Sequence, residues 1–159
     1  MFNRILAPLD GSKQSECSLG YVKEIATGCH VTEVVILTVL EPTNRLQFFY
    51  PNKRQEVQVK EEEQAKEAGE KYLAQVEENL KSQGFSVKTI LIQAGLYQSA
   101  AEAILNYADN NQIDLIVMTT HGRSGITRWA FGNVSERVVR SSRKPVLTIT
   151  PEGCRVGIG

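Results

Sequence analysis

The sequence predicts an α/β domain, a parallel sheet wound from successive βα units. Three observations carry this. Apolar runs of strand length alternate with helically patterned segments along the whole chain. The apolar runs are nearly unbroken and β-branched, as in EVVILTVL at 33–40, which suits strands covered on both faces. The 159 residues, 42% hydrophobic and 23% charged, suffice for one ordinary globular core.

The first strand is read at 2–9 (FNRILAPL). A helix follows, with Ser12 as N-cap, Leu19, Val22 and Ile25 on one face, and Gly28 as its stop. The second strand is 33–40. Residues 41–55 (EPTNRLQFFYPNKRQ) form the longest irregular connection, with two prolines and the aromatic run Phe48, Phe49 and Tyr50. It reads either as a lid or partner contact, or as a loop that its aromatics pack onto the domain. A long helix over about 56–82 places Leu73, Val76 and Leu80 on one stripe, with its glutamates on the solvated face. The third strand is 86–93. The next helix carries Ala100, Ala103, Ile104 and Tyr107 at helical spacing, and the fourth strand is 113–120. A short helix at 132–142 and a fifth strand at 144–150 (KPVLTIT) complete a single domain over 1–150. Residues 151–159 (PEGCRVGIG) read as a flexible C-terminal tail.

Several function classes are disfavoured at this stage. Formal net charge is zero and the isoelectric point is about 6.7, so nothing in bulk charge favours nucleic acid or an anionic membrane. The charge is unevenly spread, however. Residues 119–144 hold six Lys/Arg against one Glu, while 56–78 hold eight Glu against three Lys. The opening MFNRILAPLDGS lacks the pattern of a signal peptide, and no run reaches the ~20 apolar residues of a membrane span. Cys17, Cys29 and Cys154 are odd in number and lack CxxC spacing. They are expected to be incidental thiols in a reducing cytoplasm rather than zinc ligands or a disulfide framework.

Ligands of open parallel sheets bind beyond the carboxyl ends of the strands, where strand order reverses. Two carboxyl-end connections are unusual: APLDGS after the first strand and TTHGRSGITRWAFGN after the fourth. The second is glycine-marked and holds no acidic residue. Its glycines permit close backbone approach, and the helix starting near Gly132 and Asn133 offers unpaired N–H groups to an anion. Asn133, Val134 and Ser135 are then phosphate donors, unless Asn133 is simply a cap. Asp10 is either a ligand-facing carboxylate or the organiser of an Asx-turn at DGS. His121 has no nucleophile paired with it by motif, and Arg123 and Arg128 read either as reaching a triphosphate or as solvent-facing loop residues. Trp129, Phe131 and Ile126 read as loop anchors. Arg137, Arg140, Arg143 and Lys144 complement a helix C-terminus.

The strand-loop-helix LIVMTTHGRSGITRWAFGNVSERVV, with the opening NRILAPLDGS and the closing KPVLTI, resembles the universal stress protein family over about 2–150. The resemblance implies a Rossmann-like five-stranded parallel sheet of order 3-2-1-4-5 with helices on both faces. It further implies a dimeric, cytoplasmic stress-response sensor or adaptor that binds ATP, AMP or another adenine nucleotide, with little or no catalysis. The family signature of Gly, two residues, Gly, nine residues, Gly, then Ser or Thr falls on Thr119, Gly122, Gly132 and Asn133. Spacing is kept, but Thr119 replaces Gly and Asn133 replaces Ser or Thr. The implied nucleotide positions are Pro8, Asp10, Val39, Met118, Thr119, Gly122, Gly132, Asn133, Val134 and Ser135. Asp10 would lie near the ribose and, through water, near a Mg²⁺ or Mn²⁺ held by the phosphates. No residue is expected to ligate metal directly.

The alternative within the family is a homodimeric module that has lost nucleotide binding and serves an unidentified protein partner. An ATP-using enzyme of the adenylating pyrophosphatase kind is disfavoured, because SGGxDS is absent after the first strand and GxxxxGK[ST] is absent throughout. Homodimerisation through 144–150 has a physical motive too, since an apolar edge strand is ordinarily paired or covered.

Overall fold

The computed structural model describes residues 1–42, 55–120, 133–150 and 154. Its elements run β1 (Arg4–Pro8), α1 (Lys13–Glu16), α2 (Ser18–Gly28), β2 (Glu33–Leu40), α3 (Gln55–Ser82), β3 (Val87–Gln93), α4 (Ala100–Asn110), β4 (Leu115–Thr119), α5 (Asn133–Ser141) and β5 (Val146–Ile149). All pairings are parallel and the sheet order is β3-β2-β1-β4-β5, as expected. The aromatic run at 48–50 and most of the connection at 41–55 lie outside the described residues.

The three central strands, β1, β2 and β4, are apolar on both sides because helices cover both sides. Ile5, Ala7, Val34, Ile36 and Val117 pack with Val22, Leu73, Val76 and Leu80 on the α2–α3 face. Leu6, Val35, Leu37, Ile116 and Met118 pack with Ala101, Ile104 and Val138 on the α4–α5 face. Adjacent residues of a strand point to opposite faces, so the continuous apolar pattern is what a two-sided core demands. The stripe Leu73, Val76 and Leu80 is buried as its spacing predicts. Gly69 sits against β3, where an added Cβ would lie 3.0 Å from Leu91 Cδ1. That absence of a side chain lets α3 rest directly on the sheet.

The first helix departs from expectation. It is divided at Cys17, whose N–H donates to the Gln14 carbonyl at 3.2 Å rather than one residue further back. Ser15 and Ser18 hydroxyls donate to the Ser12 and Ser15 carbonyls, both at 2.8 Å. Such back-bonding tightens a helical turn, and Cys17 keeps right-handed dihedrals, so the division is a local tightening rather than a reversal.

At the amino edge, Asp114 ties β1 to the approach to β4. Its Oδ2 accepts the backbone N–H of Asn3 at 2.8 Å and of Arg4 at 2.9 Å. The Arg4 N–H bond is the main influence holding this carboxyl below its ordinary value of 3.8, assisted by Asn3 and opposed by partial burial. Its contribution to stability is therefore complete above the ordinary value and is lost as pH falls through the lower, folded one. Asp114→Ala should cost about 1–2 kcal/mol at neutral pH. In urea titrations between pH 2 and 5 it should also flatten the acid-side loss of stability; an unchanged acid limb would refute the assignment.

Candidate functional site

The chain leaves β1 through a turn that Asp10 and two serines organise. Asp10 Oδ1 accepts from the Ser12 N–H at 2.9 Å and from the Ser12 hydroxyl at 2.5 Å. Gly11, between them, adopts φ +82°, a conformation that a Cβ disfavours. Ser12 Oγ caps α1 by accepting the Ser15 N–H at 3.1 Å, and Ser15 Oγ accepts the Asp10 N–H at 3.3 Å. The Asx-turn role of Asp10 is thus present, and the same residue also lines a cavity. Behind the turn, the Tyr72 hydroxyl donates to Glu16 Oε1 at 2.8 Å and joins α3 to α1. Burial, then that carboxylate, pushes the Tyr72 pKa well above its usual range, so it stays a donor.

The carboxyl ends of the neighbouring strands are fixed with equal economy. The Leu9 N–H donates to the Leu37 carbonyl at 2.8 Å, and the buried Thr38 hydroxyl donates to the Leu9 carbonyl at 3.0 Å. The Thr120 N–H donates to the Ile149 carbonyl at 2.9 Å. Ser135, buried in the first turn of α5, donates its hydroxyl to the Thr120 carbonyl at 2.7 Å. That bond clips the start of α5 onto the end of β4.

Helix α4 begins at the same end of the sheet, with a full capping box. Ser99 Oγ accepts the Glu102 N–H at 3.2 Å, and Glu102 Oε2 accepts the Ser99 N–H at 2.9 Å. Glu41 Oε1 accepts the Ala100 N–H at 2.9 Å. Glu102 also pairs with Arg137 of α5 at 3.2 Å. Carboxylates therefore occupy the first turn of α4.

These elements surround a half-open cavity of about 220 Å³. On the β2 and α4 side its wall is apolar, from Leu37, Val39, Ala100 and Ile104, continued by Met118 of β4. Polar groups come from the β1–α1 turn (Asp10, Ser15), the end of β4 (Thr119, Thr120) and the start of α5 (Asn133, Ser135). One end suits a flat apolar group, and the other offers hydrogen bonds and a helix N-terminus.

Eight positions singled out from sequence line this one cavity: Pro8, Asp10, Val39, Met118, Thr119, Asn133, Val134 and Ser135. Gly122 and Gly132 lie outside the described residues, as do His121, Arg123, Ile126, Arg128, Trp129 and Phe131. The cavity adds Leu9, Ser15, Leu37, Ala100, Ile104 and Thr120. Ala100 and Ile104 carried a signal in their helical spacing, but it was equally the signal of a core face. Ser135 differs in role: with its hydroxyl donated to Thr120, its side chain is a structural clip more than a free phosphate donor.

The cysteine expectation is corrected here. Cys17 and Cys154 form a disulfide, and Cys29 alone is free among the described residues. An odd count and irregular spacing say nothing about distance in space, and the two cysteines stand 137 residues apart in sequence. Of the segment 151–159, only Cys154 is described.

A parallel, doubly wound sheet with its cavity at the β1/β4 reversal defines a Rossmann-like domain. The family model of the universal stress proteins matches residues 1–150. The universal stress protein MJ0577 of Methanocaldococcus jannaschii is 28% identical, covering 94% of this chain and 95% of that protein. The solved structure of MJ0577 superposes with a TM-score of 0.79 at 27% identity, covering 94% and 96% of the two chains. The chain belongs to the universal stress protein family. Two more distant members share the fold. One, solved with cAMP, has a TM-score of 0.63 at 18% identity, covering 94% and 97% of the chains. The other, from Archaeoglobus fulgidus and solved with dAMP, has a TM-score of 0.59 at 19% identity, covering 93% and 97%.

Ser135→Ala should remove the α5 clip and lower stability by about 1 kcal/mol, or about 2–4 °C in thermal midpoint. A midpoint unchanged by scanning calorimetry would show that the clip carries no net stability.

Proposed function

We propose that the cavity binds an adenine nucleotide, with ATP foremost and AMP as the smaller candidate, and that the protein acts as a dimeric stress-response sensor or adaptor. The observation that carries this reading is the division of one cavity into an apolar end and an end built from a helix's first turn. An adenine ring fits between Val39 and Ile104, and the ribose comes beside Asp10. The phosphates then meet the backbone N–H groups at the start of α5, where the positive end of the helix dipole favours them. Relatives solved with cAMP and dAMP support an adenine nucleotide as the ligand class. A Mg²⁺ or Mn²⁺ would be held by the phosphates, with Asp10 reaching it through water. Asp10 already anchors the turn through Oδ1, a role that suits positioning better than proton abstraction. Turnover is accordingly absent or slow.

Dimerisation through β5 accompanies this reading. β5 is an edge of the sheet and presents Leu147, 37% exposed, with Val139 of α5 also exposed. A two-fold pairing of this edge would satisfy its outward backbone groups. The alternative, a dimeric partner-binding module without nucleotide, draws support from Thr119 standing among the lining residues where the family signature has glycine, and from the Ser135 hydroxyl already donated to Thr120.

Calorimetric titration should detect binding of Mg-ATP or AMP; silence at about 1 mM ligand would abandon the nucleotide reading in favour of the alternative. Ile104→Trp should weaken adenosine and ATP alike by about fivefold or more, by filling the apolar end. Asn133→Pro should weaken ATP by a similar factor while sparing adenosine, because it removes one N–H at the phosphate end. Equal losses for both ligands in both variants would contradict the proposed orientation. By sedimentation, Leu147→Asp should convert a dimer to a monomer; a wild-type monomer at micromolar concentration would dismiss the β5 interface.

A further inference from the structure

The disulfide between Cys17 and Cys154 joins two parts of the chain that flank the cavity. Cys17 stands between α1 and α2, two residues beyond Ser15 of the cavity wall. Cys154 follows the end of β5 by five residues, and the two Cα atoms are 5.1 Å apart. Both cysteines are partly exposed. Cys29 cannot replace Cys17, because α2 lies between them and puts it about 18 Å further along the helix.

We propose that Cys17 and Cys154 form a reversible thiol–disulfide site whose closure orders the Asp10–Ser15 turn. A series of local hydrogen bonds carries the constraint from Cys17 to that turn. The Cys17 N–H is held by Gln14, the Ser18 hydroxyl by the Ser15 carbonyl, and Ser15 Oγ contacts both the Ser12 carbonyl and the Asp10 N–H. On the other side, β5 pairs with β4, and the Ile149 carbonyl holds the Thr120 N–H of the cavity wall. Closing the disulfide therefore completes a covalent circuit that links the Asp10 turn to the β4–β5 side of the same cavity. With the thiols reduced, these two walls are joined by the sheet and by the packing of α2 on β4, without a cross-link.

A low-molecular-weight disulfide such as oxidised glutathione balances the chemistry. One protein thiolate attacks a sulfur of the small disulfide and releases one small thiolate. The second protein thiolate then attacks the mixed disulfide and releases the other. The two protons lost by the cysteines end on the two released thiols. A dithiol reductant reverses both steps. The partial exposure of both residues gives the small reagent access, and the site does not depend on which ligand, if any, the cavity takes.

The test uses the full chain carrying Cys29→Ser, treated with oxidised glutathione or with dithiothreitol. Oxidation should leave an intact mass two hydrogens lighter and a single cross-linked peptide pairing Cys17 with Cys154. The thermal midpoint should rise by roughly 5–15 °C. Amide exchange across residues 10–18 should slow at least about threefold, read by mass spectrometry. Reductant should restore every value, and Cys154→Ser or Cys17→Ser should abolish the response. Absence of the intramolecular cross-link, or a cross-link between two chains, would overturn the proposal. So would exchange at 10–18 that is identical in the two redox states. None of these readouts involves nucleotide, so they stand apart from a failure of ATP to bind.

Discussion

The parallel pairing of β1 with β4 is the constraint on which the rest of the site depends. Ile5 pairs with Leu115 and Leu6 with Ile116, so two strands distant in sequence end side by side. After β1 the chain turns toward the α2–α3 face, and after β4 it continues to α5 on the opposite face. Two connections leaving in opposite directions cannot close over the gap between them. A crevice is the geometric consequence, and the cavity lies there. Its rim holds shape because strand-end groups find local partners: Leu9 with Leu37 and Thr38, and Thr120 with Ile149 and Ser135.

Polarity within the crevice follows from which helix starts where. Both α4 and α5 begin at the carboxyl end of the sheet. The first turn of α4 is met by Ser99, Glu102 and Glu41, which places carboxylates where an anion would otherwise settle. Arg137 of α5 draws Glu102 toward the other helix. The start of α5, whose Asn133 and Val134 line the cavity, is the helix end where the proposed phosphates would be favoured. The apolar residues of β2 and α4 are left to an uncharged ring. For the proposed nucleotide, orientation would thereby follow from helix capping, a local property, rather than from net charge, which is zero.

Much of this was legible in the sequence because it is periodic. The unbroken apolar run at 33–40 announced a strand covered twice, and Leu73, Val76 and Leu80 announced the inner face of α3. The carboxyl-edge residues Pro8, Asp10, Val39 and Met118 were placed by family pattern, and they converge on one cavity. What escaped was not periodic. The tightened turn at Cys17 arises from serine hydroxyls competing for carbonyls, which residue spacing does not report. Ile104 faces the cavity from a helix side indistinguishable from a core side. The Cys17–Cys154 bond spans nearly the whole chain, so only the assembled sheet brings its ends together.

The two departures from the family signature, Thr119 and Asn133, bear on the site differently once placed. Thr119 ends β4, pairs in register with Ile149, and is partly buried. The cavity exists with Thr119 among its lining residues, so the replacement of glycine there does not close it. Asn133 lies in the first turn of α5, and its backbone N–H is independent of side-chain identity. The hydroxyl that a Ser or Thr would bring there is replaced by an amide with both donor and acceptor. Both substitutions thus alter which polar groups line that end of the cavity while leaving the helix start and the apolar end in place. For the proposed nucleotide ligand, their effect would fall on the preference among nucleotides, with the number of phosphates as the variable most exposed to them.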